Sequence, residues 1–354
     1  MIFDSVNFKR LMALLAIALV FAGFNACRKG AGVISENADD LFWVSSEEAD
    51  MPVWVKGNTA SGVIILLAQG KPGESSYGYA GFSSELLRQN YGMAFWEYRN
   101  SGMSAGNSNT AFLNIPTFGN DLKLVLKVLK QRYNAPKIFL YGHGFGGFLG
   151  SAFLTADVDS LVSGWIEVGG HHNIPLANFL CRKKLITTAD SQIVAGNNAG
   201  RWQSIKDFCV GTDSVVSDYL QAATLHEYAI EAESLIGLGD HKFKGELNNP
   251  AGSIYTLANI YNYNNSSPAV PFRKRINESS ANMSPFLFRI KVPSLLLWGE
   301  KDFSSPDSLG RDALKFLGSK EKTLVTLPNS GHFPMNDNPE LLQTEIINFI
   351  EKHR

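Results

Sequence analysis

The sequence predicts an α/β protein with a mostly parallel, doubly wound sheet and a mainly helical cap inserted between the two halves of that sheet. Three observations carry this. Short apolar runs alternate with helix-length amphipathic segments between residues 62 and 168, the rhythm of βαβ units. The run 62–69 is apolar almost without interruption, as in a strand buried on both faces of a parallel sheet. Between 169 and 288 the rhythm stops, and it resumes from 289 to the C-terminus.

The first residues carry an address. Lys9 and Arg10 precede an uncharged apolar run, 11–24, followed by Ala26 and Cys27. The run is short for a membrane span and suits a signal-peptide core. Residues 1–26 resemble a bacterial lipoprotein signal, cleaved before Cys27 with lipid on its sulfur; an ordinary secretory signal or a single anchor helix are the alternatives. Lipidation would place the chain in the bacterial cell envelope, anchored to a membrane outside the cytoplasm. Of the three cysteines, Cys181 and Cys209 then remain, either paired or as two separately buried thiols.

After a polar tether, 27–40, segments 41–44 and 53–56 read as the arms of a hairpin joined by the polar stretch 45–52. The core follows over 41–168: strand 62–69, helix 80–89, strand 93–98, a Gly/Ser/Asn-rich loop, helix 118–133, strand 138–141, a helix from 145 to about 155, and strand 161–168. The cap, 169–288, contains a helical pattern over 218–238 and an Asn/Ser/Pro-rich passage, 262–271. The core resumes over 289–354 with strand 294–298, helix 306–317, strand 323–327 and helix 339–353. A cap in this position covers the C-terminal edge of the sheet, where open α/β sheets bind ligands.

Composition excludes some functions. With 32 basic and 33 acidic residues, the chain gives no electrostatic reason to expect nucleic acid. The clusters Arg182-Lys183-Lys184 and Arg273-Lys274-Arg275 read as solvated surface. No metal motif or dinucleotide fingerprint is present, and no cofactor is expected. The glycines of 142–147 lack the Lys-Ser/Thr of a phosphate loop.

Those glycines point elsewhere. Strand, sharp turn and helix over 138–147 form the context of a nucleophile elbow, Gly-x-Ser-x-Gly, in which the central side chain projects above the sheet. Gly142 and Gly146 are the flanking glycines. The central residue is Gly144, which has no side chain with which to attack a carbonyl.

Several stretches in order, from about residue 41 to the C-terminus, resemble the α/β-hydrolases, nearest to their prolyl-aminopeptidase-like branch. Gln69-Gly70-Lys71-Pro72-Gly73 matches His-Gly-Gly-Pro-Gly. The run Glu97 to Ser104 matches Asp-x-Arg-Gly-x-Gly-x-Ser. Gly142-His143-Gly144-Phe145-Gly146-Gly147 matches Gly-His-Ser-x-Gly-Gly. The resemblance implies an oxyanion hole from the backbone N–H groups of Lys71 and Phe145. It also implies an acid at Asp302, after one strand, and a base at His332, after the next, in the order this fold uses. A carboxylate on one imidazole nitrogen fixes the tautomer, so the pair is a complete general base.

Departures from the pattern matter unequally. Gln69 for His leaves the backbone donor in place, and Asn100 for Gly tolerates a left-handed backbone. Gly144 for Ser removes the nucleophile. No neighbour replaces it: His143 is expected to point into the fold, Ser151 lies two helical turns away, and Ser75 and Ser76 are expected to bond the backbone of the 69–73 loop. In the branch resembled, cap carboxylates bind a substrate amine. Glu227, Glu231 and Glu233 occupy such a helix, although three acids there also read as a solvated face. Trp202, Tyr219 and Tyr228 are candidate pocket aromatics or cap core.

The expected function is therefore hydrolase-type, on an ester or peptide/amide-like small substrate, with Asp302 and His332 activating water beside Gly144. The alternative is a lipid-anchored binding protein that holds a small molecule or peptide and turns nothing over. A further one is an active serine hydrolase in which Gly144 is a single change.

Overall fold

A computed structural model describes residues 31–70, 72–73, 75–80, 84–106, 109–134, 136–156, 161–216, 218–239 and 281–354. The expected signal, Cys27, Lys71, the cluster 273–275 and the passage 262–271 lie outside them. From Val33 to Arg354 the chain forms one unit. Its described residues build a sheet of nine strands.

The hairpin is longer and tighter than its composition indicated. Strands β1, Ala38–Ser46, and β2, Ala49–Gly57, pair along their whole length. The connection shrinks to Glu47-Glu48, both with positive φ (42° and 65°), matching a two-residue type I′ turn whose twist suits an antiparallel pair. Ser45, Ser46 and Asp50 join the ladder despite their polarity. Pro52 does too, its carbonyl accepting the Glu97 N–H at 3.1 Å. The tether correspondingly ends before Ala38. Asp40 is buried and bonds Arg132 (2.8 Å) and the Tyr133 hydroxyl (2.6 Å), partners that outweigh its burial and hold its carboxyl below the usual value.

Central strands β3 (Val63–Ala68), β4 (Gly92–Trp96), β6 (Lys137–His143), β7 (Gly164–Val168), β8 (Ser294–Gly299) and β9 (Lys322–Leu327) run parallel. The order across the sheet is β1-β2-β4-β3-β6-β7-β8-β9, with a short β5 (Ala105–Gly106) beside β2. Burial on both faces accounts for the apolar character of β3, β4 and β8, whereas β9, at the edge of the sheet, is partly exposed. One face is covered by α2 (Ile115–Arg132), α3 (Phe145–Thr155) and α7 (Asp307–Phe316). The other is covered by α1 (Glu85–Asn90), the short α8 (Pro334–Asp337) and α9 (Pro339–His353). Where helix 80–89 was expected, a 3-10 turn, Ser76–Ala80, precedes the shorter α1. Helix α2 starts earlier than its hydrophobic pattern because Asn114 caps the Thr117 N–H at 2.9 Å and Pro116 stands in the first turn.

Inserted after β7 are α4 (Ile174–Val194), α5 (Ala199–Gly211) and α6 (Tyr219–Leu235). They enclose a core of their own around Trp202, Leu185, Ile205 and Leu225. Asn173 caps α4 and Asp218 caps α6. Cys181 on α4 and Cys209 on α5 are buried free thiols, so the disulfide left open by the sequence is not formed. The Cys181 thiol instead donates to the Leu225 carbonyl at 3.9 Å. Burial pushes the Cys209 thiol up to about 11, which keeps it protonated and unreactive.

Candidate active site

A sharp turn joins β6 to α3 at Gly144, the position expected for an elbow. Strand β6 ends at His143, Gly144 takes φ 51° and ψ −115°, and α3 starts at Phe145. Positive φ there costs glycine little, whereas an L side chain would store strain. Three hydrogen bonds hold the turn. Gly144 N–H donates to Val168 O at 3.3 Å, and Gly144 O accepts from Gly147 N–H at 3.0 Å and His171 N–H at 2.9 Å.

Asp302 and His332 come together above it. Asp302 follows β8, is fully buried, and its Oδ2 lies 3.0 Å from His332 Nδ1. Its Oδ1 accepts the Ser305 N–H at 2.6 Å. Burial opposes charge on the His332 imidazole, but the Asp302 carboxylate and its hydrogen bond, with Glu233 beyond, outweigh that and raise its pKa. Nε2 faces the elbow: a Cβ at residue 144 would stand 3.5 Å from it.

The acceptor side of the elbow is arranged differently. Phe145 N–H, an expected oxyanion donor, is already paired with Gly70 O at 3.0 Å. That carbonyl stands 3.2 Å from the position of a Cβ on Gly144, a tight contact that a side chain there would have to relieve. Gly70 N–H reaches the Tyr79 hydroxyl at 3.3 Å. Tyr79 in turn bonds His143 Nδ1 at 2.7 Å, and His143 Nε2 meets His332 O at 2.8 Å. Because a carbonyl only accepts, the proton sits on Nε2 of His143 and Nδ1 takes the tyrosine's. Burial, followed by the neighbouring His332, lowers the His143 pKa to about 3 and keeps it neutral.

The cap reaches the dyad through Glu233, on α6. Fully buried, it accepts the Phe303 N–H on Oε1 (2.9 Å) and the His332 N–H on Oε2 (3.0 Å). A Cβ on Gly331 would come within 2.1 Å of Oε2, so only glycine admits the carboxylate there. Seven residues earlier on the same helix face, His226 Nδ1 bonds Ser304 Oγ at 2.8 Å. His171 stacks on His332 with ring centroids 5.3 Å apart and planes 8° apart. Burial, then the adjacent His226 and His332, holds His171 well below its usual value.

Other candidates settle elsewhere. Glu227 is exposed, Glu231 pairs with Arg201, and Trp202 fills the cap core. Tyr228 carries the Arg201 guanidinium 5.2 Å from its ring centroid. Ser75 Oγ accepts the Tyr77 N–H at 3.2 Å, and both serines turn to a carboxylate. Both hydroxyls donate to Glu97 Oε1 at 2.9 Å, because a buried carboxylate needs donors. Burial raises the Glu97 pKa to about 7 despite them. Nor is Lys184 merely solvated: its ammonium caps the carbonyls of Glu300 (3.2 Å) and Asp302 (3.0 Å). Sequence reasoning grouped Glu233 with its neighbouring acids and passed over His171 and His226. The available signals were His171-His172 directly after strand β7 and the seven-residue spacing of His226 and Glu233 on one helix. Among the described residues no cluster of His, Cys, Asp and Glu is arranged to hold a metal.

A parallel sheet with an elbow after one strand, an acid after a later one and a histidine after the next defines a hydrolase-type scaffold. The chain belongs to the alpha/beta hydrolase fold family, whose model matches residues 63–339. Solved structures share the fold at low identity. Proline iminopeptidase from Mycobacterium smegmatis is 12% identical at a TM-score of 0.59, covering 89% of this chain and 98% of its own. A bacterial membrane phospholipase A is 16% identical at 0.58, covering 99% of both chains. An esterase from Exiguobacterium antarcticum is 16% identical at 0.54, covering 90% and 99%. No curated protein matches the chain.

Proposed function

We propose that this protein is a hydrolase-type member of the family in which a water molecule takes the place of the elbow serine. One observation carries the reading: the Cβ position of residue 144 lies 3.5 Å from His332 Nε2 and 3.2 Å from Gly70 O. A water molecule seated there donates one proton to the imidazole and the other to the carbonyl. His332 Nε2 then takes the first proton as the oxygen attacks a substrate carbonyl, and Asp302 stabilises the imidazolium. The proton returns to the leaving alcohol or amine. The substrate is a small ester or peptide/amide-like molecule, in keeping with the esterase and the proline iminopeptidase that share the fold. With Phe145 N–H engaged by Gly70 O, the tetrahedral oxyanion lacks that donor unless the loop yields, so turnover is slow.

That same engaged donor favours a second reading: a binding protein that holds such a molecule without cleaving it. In either case, residues 1–26 and Cys27 are proposed to deliver and anchor the chain at a membrane. Hydrolysis of a short-acyl ester and aminoacyl-amide panel by the full chain and by His332→Ala separates the readings. Turnover lost with His332→Ala supports the water mechanism. An inert parent that nevertheless binds panel members supports the binding protein.

A further inference from the structure

We propose that the edge of the sheet opposite Gly144 is a docking face for anionic phospholipid. The six central strands run the same way, so Gly144, Asp302 and His332 all follow strand C-termini. The strand starts Val63, Lys137, Ser294 and Lys322, and the helix ends at Arg132, Thr155 and Phe316, share the other edge. The segment Ser284–Arg289 returns the chain from the cap along that edge. Arg289 Nη1 reaches Thr155 O at 3.5 Å, and Gly318 N–H donates to Leu287 O at 3.2 Å.

Three large rings stand out of the protein here: Phe288 is 56% exposed, Phe286 44% and Phe316 39%. Each lies beside a cation. The Arg289 guanidinium is 5.9 Å from the ring centroids of both Phe286 and Phe288. The Lys315 ammonium is 5.0 Å from that of Phe316. Lys291 Nζ closes the gap between them, 2.7 Å from where a Cβ on Gly318 would stand. The carboxylates nearest in the chain are engaged, Asp312 by His172 and Ser284, and Glu321 by Lys352 at 3.5 Å.

Exposed phenylalanines interleaved with arginine and lysine suit a membrane interface, where rings enter the headgroup layer and cations meet lipid phosphates. The engagement of both acids favours a polyanionic surface over a protein partner of mixed charge. The unit also begins on this edge, where Val33 O accepts the Thr59 hydroxyl at 2.6 Å ahead of β3. Docked this way, the molecule presents the Gly144 side to solvent.

The test uses the full chain with Phe288→Trp or, independently, Phe316→Trp, mixed with vesicles of phosphatidylcholine with or without phosphatidylglycerol. Quenching by bromine-labelled lipid is read as the difference from the parent. The expected result is quenching at both positions on the anionic vesicles, reversed by high salt. Arg289→Glu with Lys315→Glu should lower the docked fraction about fivefold or more for each cation removed. Equal signals on neutral and anionic vesicles would overturn the proposal. So would quenching of Val194→Trp or Leu220→Trp, in the cap, with none at Phe288 or Phe316. Binding of a soluble protein that protects these positions without any lipid dependence would overturn it as well.

Discussion

The two sides of the elbow have been kept in opposite conditions. On the base side, the polar groups that orient the imidazole are paired: Asp302 Oδ2 with His332 Nδ1, its Oδ1 with the Ser305 N–H, and the His332 N–H with Glu233. On the nucleophile side, residue 144 has no side chain and the Phe145 N–H, one of the two expected oxyanion donors, is engaged by Gly70 O. A fold indifferent to the chemistry would not need a buried carboxylate from another layer to clamp the histidine. In a serine hydrolase the corresponding elbow N–H is needed for the oxyanion. The difference is local to one peptide, since the Gly70 carbonyl that engages Phe145 N–H also stands 3.2 Å from where a Cβ on Gly144 would be.

Removing the base is the sharpest way to break the comparison. If the base side works, His332→Ala lowers any ester hydrolysis by the parent about 10²- to 10⁴-fold, the usual contribution of a general base. Steady-state rates on the most reactive ester of the panel measure this. A rate unchanged by His332→Ala would show that the assembled dyad is idle.

The clamp is expected to come next in size. Glu233→Ala leaves the Phe303 and His332 N–H groups buried without an acceptor, at roughly 1–3 kcal/mol each. Urea unfolding should show a loss of about 2–6 kcal/mol. Glu233→Gln keeps the shape and removes the charge that helps raise the His332 pKa, so imidazole NMR should show His332 titrating lower. An unshifted His332 would make the clamp purely structural.

Much of this side was legible in the sequence. Asp302 and His332 each follow an apolar strand, and strand ends are where a parallel sheet delivers side chains to one edge. The elbow was equally visible, because glycines at 142, 144, 146 and 147 fit only a turn of that tightness. What stayed hidden depends on contacts distant in the chain. Glu233 looks like Glu227 and Glu231 until α6 is rotated onto the 302 and 332 loops; its seven-residue spacing from His226 puts the two on one face, but nothing in the sequence says what that face meets. The pairing of Phe145 N–H with Gly70 O is a matter of one peptide's orientation, on which composition is silent. The β1-β2 turn misled for a local reason: Glu47-Glu48 adopts left-handed geometry that Asn-Gly would have advertised.

The cap is tied down beside β7 by a second histidine, which sharpens the contrast because it holds the cap without touching the elbow. Buried His172 lies between Glu167 (3.0 Å) and Asp312 (3.2 Å). Ser284 also donates to Asp312, and Asn173 to Ser284. Both crossings between core and cap are thereby joined, since Met283 N–H donates to His172 O at 2.8 Å. Burial opposes the charge, but the two carboxylates win and raise the pKa from 6.5 to about 9. A raised pKa means that the folded state holds the proton more tightly. Its stabilisation is complete below pH 6.5 and is lost as pH rises through about 9, a change on the order of a few kcal/mol at most. Urea midpoints should fall across that window in the parent and stay flatter in His172→Gln.

Gly144→Ser is expected to have the smallest effect on stability, and it tests whether the nucleophile side can reopen. The residue would have to keep φ 51°, which costs a non-glycine residue about 1–3 kcal/mol. Its Cβ would meet Gly70 O at 3.2 Å, tight enough to push that carbonyl back. A retreat of a few tenths of an ångström weakens the Gly70 O bond to Phe145 N–H, so one substitution supplies the nucleophile and loosens the donor. The expected outcome is a slightly less stable protein whose introduced hydroxyl reacts covalently with a fluorophosphonate, dependent on His332, while the parent does not react. A stable Gly144→Ser protein that stays unlabelled would mean that Gly70, bonded on its other side to Tyr79, does not yield. The closed donor would then be a fixed feature of the fold, and the binding reading would gain over the catalytic one.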